Sequence, residues 1–230
     1  LEVETNLGKA ILPLLSFDLG DGYRELYSAY GYGGFIGFPE NATLCELEKL
    51  VSESFSEIKD YLLENGIVDV FLRSSPFLKN EHFLPEDHLE FDRQTVSVSL
   101  CDWRGKDFPD YFTSKQKWSV RYAIRNGLKA GIYNGLSFNE RALRAFYTLY
   151  KKAMERNNAS DYYMLSEELM NGHMEIGERI ELVVALLHDQ IVGGALFLVD
   201  RERVHYHFSA IDYENAKYQI TDFILYNAIQ

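Results

Sequence analysis

Three apolar runs lie almost end to end late in the chain: "RIELVVALL" (179–187), "IVGGALFLV" (191–199) and "RVHYHFSA" (203–210). Their connectors, "HDQ" and "DRER", are polar and very short. Parallel strands need a crossover of a dozen or more residues, so strands joined this tightly must run antiparallel. The expectation is an antiparallel meander over 180–209 followed directly by a helix, and the rest of the fold must be compatible with it.

Upstream, strands and helices are mixed. "KAILPLLSFDLGDG" (9–22) reads as a strand closed by a Gly-Asp-Gly turn. Thr43-x-x-Glu46 is a capping box, and Asn65-Gly66 is a helix stop. Between them Leu44, Leu47, Leu50, Val51, Phe55, Ile58, Tyr61 and Leu62 fall on one helical face. "IVDVFLR" (67–73) reads as a buried strand. A loop runs from Ser74 to about Glu90, and "TVSVSL" (95–100) alternates like a strand, with Val96, Val98 and Leu100 on one face. Residues 108–130 read as a basic helix and "GIYNGLSF" (131–138) as a short strand. A second capping box, Ser137-x-x-Glu140, opens a helix with Leu143, Phe146, Tyr147, Tyr150 and Met154 on its core side. A short helix near 166–173 precedes the meander. The last helix starts near Tyr218, with Ile220, Phe223, Ile224 and Asn227 on one side. This is an α+β pattern with a mixed sheet rather than a doubly wound parallel one. It divides into a half at 1–106, a basic connecting helix at 107–130, and a half at 131–230. The missing initial Met and the uncapped last helix are read as signs of a fragment.

Composition narrows the class. The chain has 230 residues, 47% apolar and 25% charged, an ordinary balance for a folded domain with a sizeable core. No apolar run approaches the roughly 20 residues that span a bilayer. "LEVETNLGKAILPLL" is acidic before it is apolar, the reverse of a secretory leader. The two cysteines, Cys45 and Cys101, form neither a metal spacing nor a disulfide framework. A cytoplasmic location and no metal are the expectations. The net charge of −12 argues against broad nucleic-acid affinity but leaves room for a local basic patch.

The candidate site residues each admit two readings. In "YGYGGFIGFP" (30–39), Gly33 and Gly34 let backbone approach a ligand while Tyr30 and Tyr32 stack on it; the alternative is a strand bend with half-buried tyrosines. Lys117, Arg121, Arg125 and Lys129 recur every four residues, so each is rotated by about 40° from the last and they form one stripe, beside Trp118 and Tyr122. The stripe suits phosphates, or it is a solvated face paired with the chain's own carboxylates. Arg73, closing its strand before Ser74-Ser75-Pro76, suits a substrate carboxylate or phosphate, or simply caps a sheet end. His205, His207 and Ser209 alternate and so share a face in a regular strand, where His207 is the candidate general base and Ser209 its hydroxyl partner; the alternatives are a His pair for a metal, which no third ligand at a helpful spacing supports, and a wet sheet face. Gly193 and Gly194 mark a bulge or close approach in mid-strand.

The order "YGYGG", amphipathic helix, "FLR-x-x-P", "VSL", "KWSVRYAIRNGLKAG", "FYTLYKKAMERN", "YYML" and "IVGGALFLV…VHYHFSA" resembles the Fem-type peptidoglycan-bridge aminoacyltransferases over most of the chain. That family is built from domains of the GNAT acyltransferase fold. The resemblance implies a GNAT-like mixed β-sheet flanked by helices, with two incomplete GNAT-like halves. It implies transfer of an acyl or aminoacyl group to a primary amine of a cell-envelope precursor. The donor is aminoacyl-tRNA or acyl-CoA, no cofactor is tightly bound, and the partner is a phosphorylated envelope precursor or a nucleotide sugar. It favours a substrate cleft at Tyr30, Tyr32, Gly33 and Gly34, and an acyl-donor cleft beside Gly193 and Gly194. The turn "SAIDYENAKYQI" lacks the Gln/Arg-x-x-Gly-x-Gly pattern that wraps CoA pyrophosphate, and the last strand and helix of a second GNAT-like domain are absent. Two alternatives stand: acyl-CoA-dependent N-acylation of an amino sugar, and a non-catalytic GNAT-like binding module.

Overall fold

The computed structural model describes residues 1–5, 8–36, 43–84, 86–100, 107–137 and 139–230, in two compact units, Leu1–Ser97 and Val98–Gln230. Cys101, the 37–39 end of the aromatic-glycine segment and the side chains of Leu44 and Leu47 lie outside the described parts.

The first unit holds a hairpin of β1 (Glu2–Thr5) and β2 (Gly8–Ile11), and a three-stranded sheet of β3 (Leu15–Gly20), β4 (Tyr23–Tyr27) and β5 (Ile67–Phe71). β3 and β4 are antiparallel across the Gly20-Asp21-Gly22 turn, whose residues all have positive φ. β4 and β5 are parallel, and α1 (Leu44–Glu64) is the crossover between them. The capping box at Thr43 and Glu46 forms as expected, and the helix ends at Asn65-Gly66. Leu50, Val51 and Ile58 of α1 pack with Ala10, Leu12 and Phe35.

Four expectations are corrected here. The run 9–22 is two strands rather than one, because Pro13 has no amide hydrogen to give a ladder. β5 forms but is not buried: it is an edge of its sheet, and Val68 and Phe71 are exposed. Tyr61 is exposed too, so the apolar face of α1 is narrower than its periodicity. Residues 95–100 form no strand, and Val96 is 92% exposed. Alternation is a condition for a strand, but a strand exists only against a neighbour, and among the described residues 95–100 have none.

The second unit is a four-stranded antiparallel sheet in the order β6 (Lys129–Asn134), β7 (Ile180–Leu187), β8 (Gln190–Val199), β9 (Val204–Ile211). The meander therefore forms in the expected order and direction. One face packs on α3 (Glu140–Arg156) and α4 (Glu167–Met174), through Leu143, Phe146, Tyr150, Met170, Leu182, Val184, Leu196 and Phe208. The other packs on α5 (Ile220–Ala228), through Val183, Ala185, Ala195, Phe197, Ile220, Phe223 and Ile224. Alternation along β7 and β8 sends successive residues to these two cores.

The basic helix is shorter than 108–130. It is α2 (Ser114–Arg125), opened by a capping box of Thr113 and Gln116 and ended before Gly127, whose φ is +87°. α2 buries Ser119, Val120 and Ala123. The second proposed capping box is also displaced. Ser137 is held in a turn by Asn134 Oδ1, which accepts from its N–H and hydroxyl, and Asn139 caps α3 instead by accepting from Ala142 N–H at 3.0 Å.

Candidate functional site

Around His207 the β8–β9 ladder gains a residue. Leu196 pairs with Phe208 and Phe197 with Tyr206, so His207 is the extra residue of a β-bulge. The bulge reverses the alternation. Phe208 belongs to the α3/α4 core, and His207 lies on that side too, against His173 of α4, with ring centroids 5.3 Å apart. Ser209 pairs with Ala195, which belongs to the α5 core. His205 and His207 neighbour each other, with centroids 5.8 Å apart, but His207 and Ser209 sit on opposite faces. The expected one-face trio is therefore not formed: a regular two-residue period was assumed where the strand carries an insertion.

His173 Nδ1 lies 2.7 Å from the Leu169 carbonyl and so carries a hydrogen. Its Nε2 is 3.3 Å from His207 Nε2. With His173 neutral, His207 Nε2–H is the donor of that bond. Burial, then His173 and His205, push His207 down to about 4. A base that weak is poorly matched to taking a proton near neutrality. Among the described residues no group of three or more His, Cys, Asp or Glu side chains is placed to hold a metal ion.

α2 carries Lys117, Arg121 and Arg125, with both arginines exposed. Among the described residues none of the three pairs with a carboxylate. Arg121 lies over the Phe108 ring at 4.9 Å, and Arg125 Nε donates to Arg121 O at 3.3 Å. Trp118, 50% exposed, stacks on Tyr122 with centroids 5.0 Å apart. Cations and flat aromatic faces are thus presented together on one exposed surface.

In the first unit Gly33 N–H donates to Arg73 O at 2.7 Å, and Arg73 N–H to Ser28 Oγ at 3.0 Å. These bonds bring Arg73 and the glycine segment together. Arg73 Nε is buried without a hydrogen-bond partner among the described residues. A Cβ on Gly33 would strike Ser28, and one on Gly34 would lie 2.9 Å from Asn80 Cγ. The close approach these glycines permit is thus made by two side chains of the same unit. Asn80 secures it by donating to Gly33 O at 2.8 Å and accepting from Ser75 N–H. Tyr30 is exposed and Tyr32 half-buried.

The β8 glycines serve packing in the same way. A Cβ on Gly193 would lie 2.5 Å from Ile220 Cγ2, and one on Gly194 2.8 Å from Phe146 Cδ2. One glycine admits α5 and the other α3. Between β9 and α5, residues Tyr213–Tyr218 form a 3₁₀ helix. The first turn of α5 contains Asp222, a carboxylate where a bound pyrophosphate would need positive potential.

Residues 114–230 match the acetyltransferase (GNAT) domain model, 117 of the 230 residues and so just over half of the chain. The chain belongs to the GNAT acetyltransferase family. Family membership makes it a transferase of the acyl class. The solved structure of FemX is similar over 99% of this chain and 74% of its own, with a TM-score of 0.63 and 13% identity. The C-terminal domain of a lysylphosphatidylglycerol synthetase from Agrobacterium fabrum, described there as putative, is similar over 100% of this chain with a TM-score of 0.62 and 12% identity. The chain spans 65% of the length of that domain. At these identities the likeness establishes the fold, a GNAT/Fem-like one. No curated sequence matches at a significant level. No helix among the described residues is long and apolar enough to cross a membrane.

Within the GNAT domain two further titratable groups bear on the site: His173, which was no sequence candidate, and Glu181, in which the sequence shows nothing specific. His173 sits with Met170 and Met174 on the buried face of α4, a spacing that marks it as facing the sheet. Glu181 is the second residue of β7, an acidic side chain in an otherwise apolar strand. It is half-buried, and burial raises its carboxyl above the ordinary value.

Proposed function

We propose that this chain transfers an aminoacyl group to a primary amine of a phosphorylated cell-envelope precursor in the cytoplasm, as its Fem-type resemblance implies. The observation that carries the reading is the α2 surface. Three cations without a carboxylate partner among the described residues, in a chain of net charge −12, lie beside a stacked Trp118–Tyr122 pair. Such a surface suits phosphates and the bases or sugars attached to them.

Aminoacyl-tRNA is the donor we favour over acyl-CoA. A GNAT pyrophosphate site needs free backbone N–H groups at the turn before the helix, and here that turn is a 3₁₀ helix followed by Asp222. No tightly bound cofactor is required. The enzyme's task is to hold the amine neutral, align it with the ester carbonyl, and stabilise the oxyanion.

The test is binding of charged tRNA and of UDP over a range of salt. Affinity for tRNA is expected to fall steeply with salt, since each neutralised phosphate releases counterions. The Arg121→Ala/Arg125→Ala double variant is expected to bind several-fold more weakly, with a log–log slope shallower by about two. Shallow salt dependence and a loss confined to UDP would instead assign the stripe to a nucleotide-linked acceptor. Saturable binding of acetyl-CoA with no response to tRNA would turn the reading to N-acylation of an amino sugar. Unchanged binding of both ligands by the double variant would make the stripe scaffolding.

A further inference from the structure

The register of the second sheet defines a row of side chains on the α5 face. Asn134 pairs with Glu181, Glu181 with Phe197, and Phe197 with Tyr206. The next row toward α5 is Ile132, Val183, Ala195 and Ser209. Ile132 at the β6 edge is 50% exposed, so the helix cover is incomplete on this face.

Within this row Glu181 is chemically isolated. Asn134 turns its oxygen back on Leu136 and Ser137. Phe197 and Val183 are buried hydrocarbon. Among the described residues no Lys, Arg or His pairs with Glu181, and none donates it a hydrogen bond. A carboxylate half removed from water with no compensating cation is unfavourable, and a bound cation would offset that cost.

We propose that Glu181 binds the ammonium form of the acceptor amine, with the exposed part of Tyr206 on the same face as the aromatic surface for its carbon chain. This rests on the acyltransferase reading for its substrate class. An alkylammonium is the partner that matches both a carboxylate and aromatic faces. The carboxylate also accepts the first proton. The ammonium becomes a neutral amine, whose lone pair forms the C–N bond with the donor's acyl carbon while the ester C–O bond breaks. The second nitrogen proton leaves on the released hydroxyl. Proton handling thus moves from the α3/α4 face, where His207 lies, to the α5 face.

The test needs neither donor nor turnover, so it stands or falls apart from the transfer activity itself. The whole chain is titrated with n-pentylamine and with n-pentanol as the uncharged match, following backbone amide NMR shifts. The expected result is saturable shifts centred on residues 181, 197 and 206 with the amine and none with the alcohol. Glu181→Gln is expected to weaken amine binding about tenfold or more, and Glu181→Asp to restore part of it. Glu181→Gln is also expected to be at least as thermally stable as the parent, since it removes an uncompensated charge. Equal amine affinity in Glu181→Gln, shifts elsewhere in the chain, or loss of stability or folding in that variant would each overturn the assignment.

Discussion

Placing a single methyl group on Gly135 is expected to destabilise the second unit by about 3 kcal/mol and lower its melting temperature by roughly 6–12 °C. Gly135 lies in the turn after β6, where its N–H donates to Gly177 O at 3.0 Å. An added Cβ would sit 2.6 Å from the Gly177 carbonyl carbon, with other Gly177 backbone atoms closer still. A flexible side chain could swing away; a backbone can yield only by breaking the hydrogen bond or displacing the turn that feeds β7. Gly172→Ala is the control. It adds the same methyl group within α4 where no atom lies within 4 Å, and alanine suits a helix better than glycine. Both tryptophans fall within residues 98–230, so tryptophan fluorescence follows this unit alone. Equal melting of Gly135→Ala and Gly172→Ala would refute the close approach.

Acidification from pH 6.5 to 4 is expected to withdraw a stabilising contribution of about 1–2 kcal/mol that comes from His207. Its folded pKa is about 4, against about 6.5 in the unfolded chain. Between those values the unfolded chain binds the extra proton and the folded one does not, so stability falls as pH falls. The contribution is fully present only about one unit above pH 6.5, and its loss is complete about one unit below pH 4. The full shift would correspond to a larger energy, but the ring is only half-buried and solvent screens part of it. Burial also lowers His205, which adds a loss in the same direction, and His173 faces the pair from α4. The measurement is urea unfolding at pH 7.5, 6, 5 and 4 for the parent and His207→Phe. The difference between the two should shrink by about 1–2 kcal/mol over this range; a constant difference would mean that the proton never enters the balance.

The meander was legible because connectors of three or four residues allow only one strand direction. The α1 cap was legible because both halves of a capping box are written locally. What escaped was decided by partners distant in sequence. The run 95–100 alternates without a strand to pair with. Ser137 has the right spacing to cap α3, but Asn134 holds it. The glycine pairs were recognisable as close approaches, but what approaches Gly193 and Gly194 is Ile220 and Phe146, and sequence spacing does not indicate that. His207 and Ser209 appeared to share a face because alternation is invisible to a bulge. Glu181 carries nothing specific in the sequence because isolation is a property of surroundings and not of a motif.

The bulge gives β9 a tolerance that a regular strand lacks. Excising His207 would leave Phe208 opposite Leu196 and Tyr206 opposite Phe197, so every remaining side chain would keep its face. Removing Ser209 or Ala210 would instead place Phe208 opposite Ala195 and turn that ring toward the wrong core. His207 is in effect a one-letter insertion in an otherwise uninterrupted strand. Length variation in β9 is therefore absorbed at that position, and the histidine can be gained or lost there without rewriting the sheet around it.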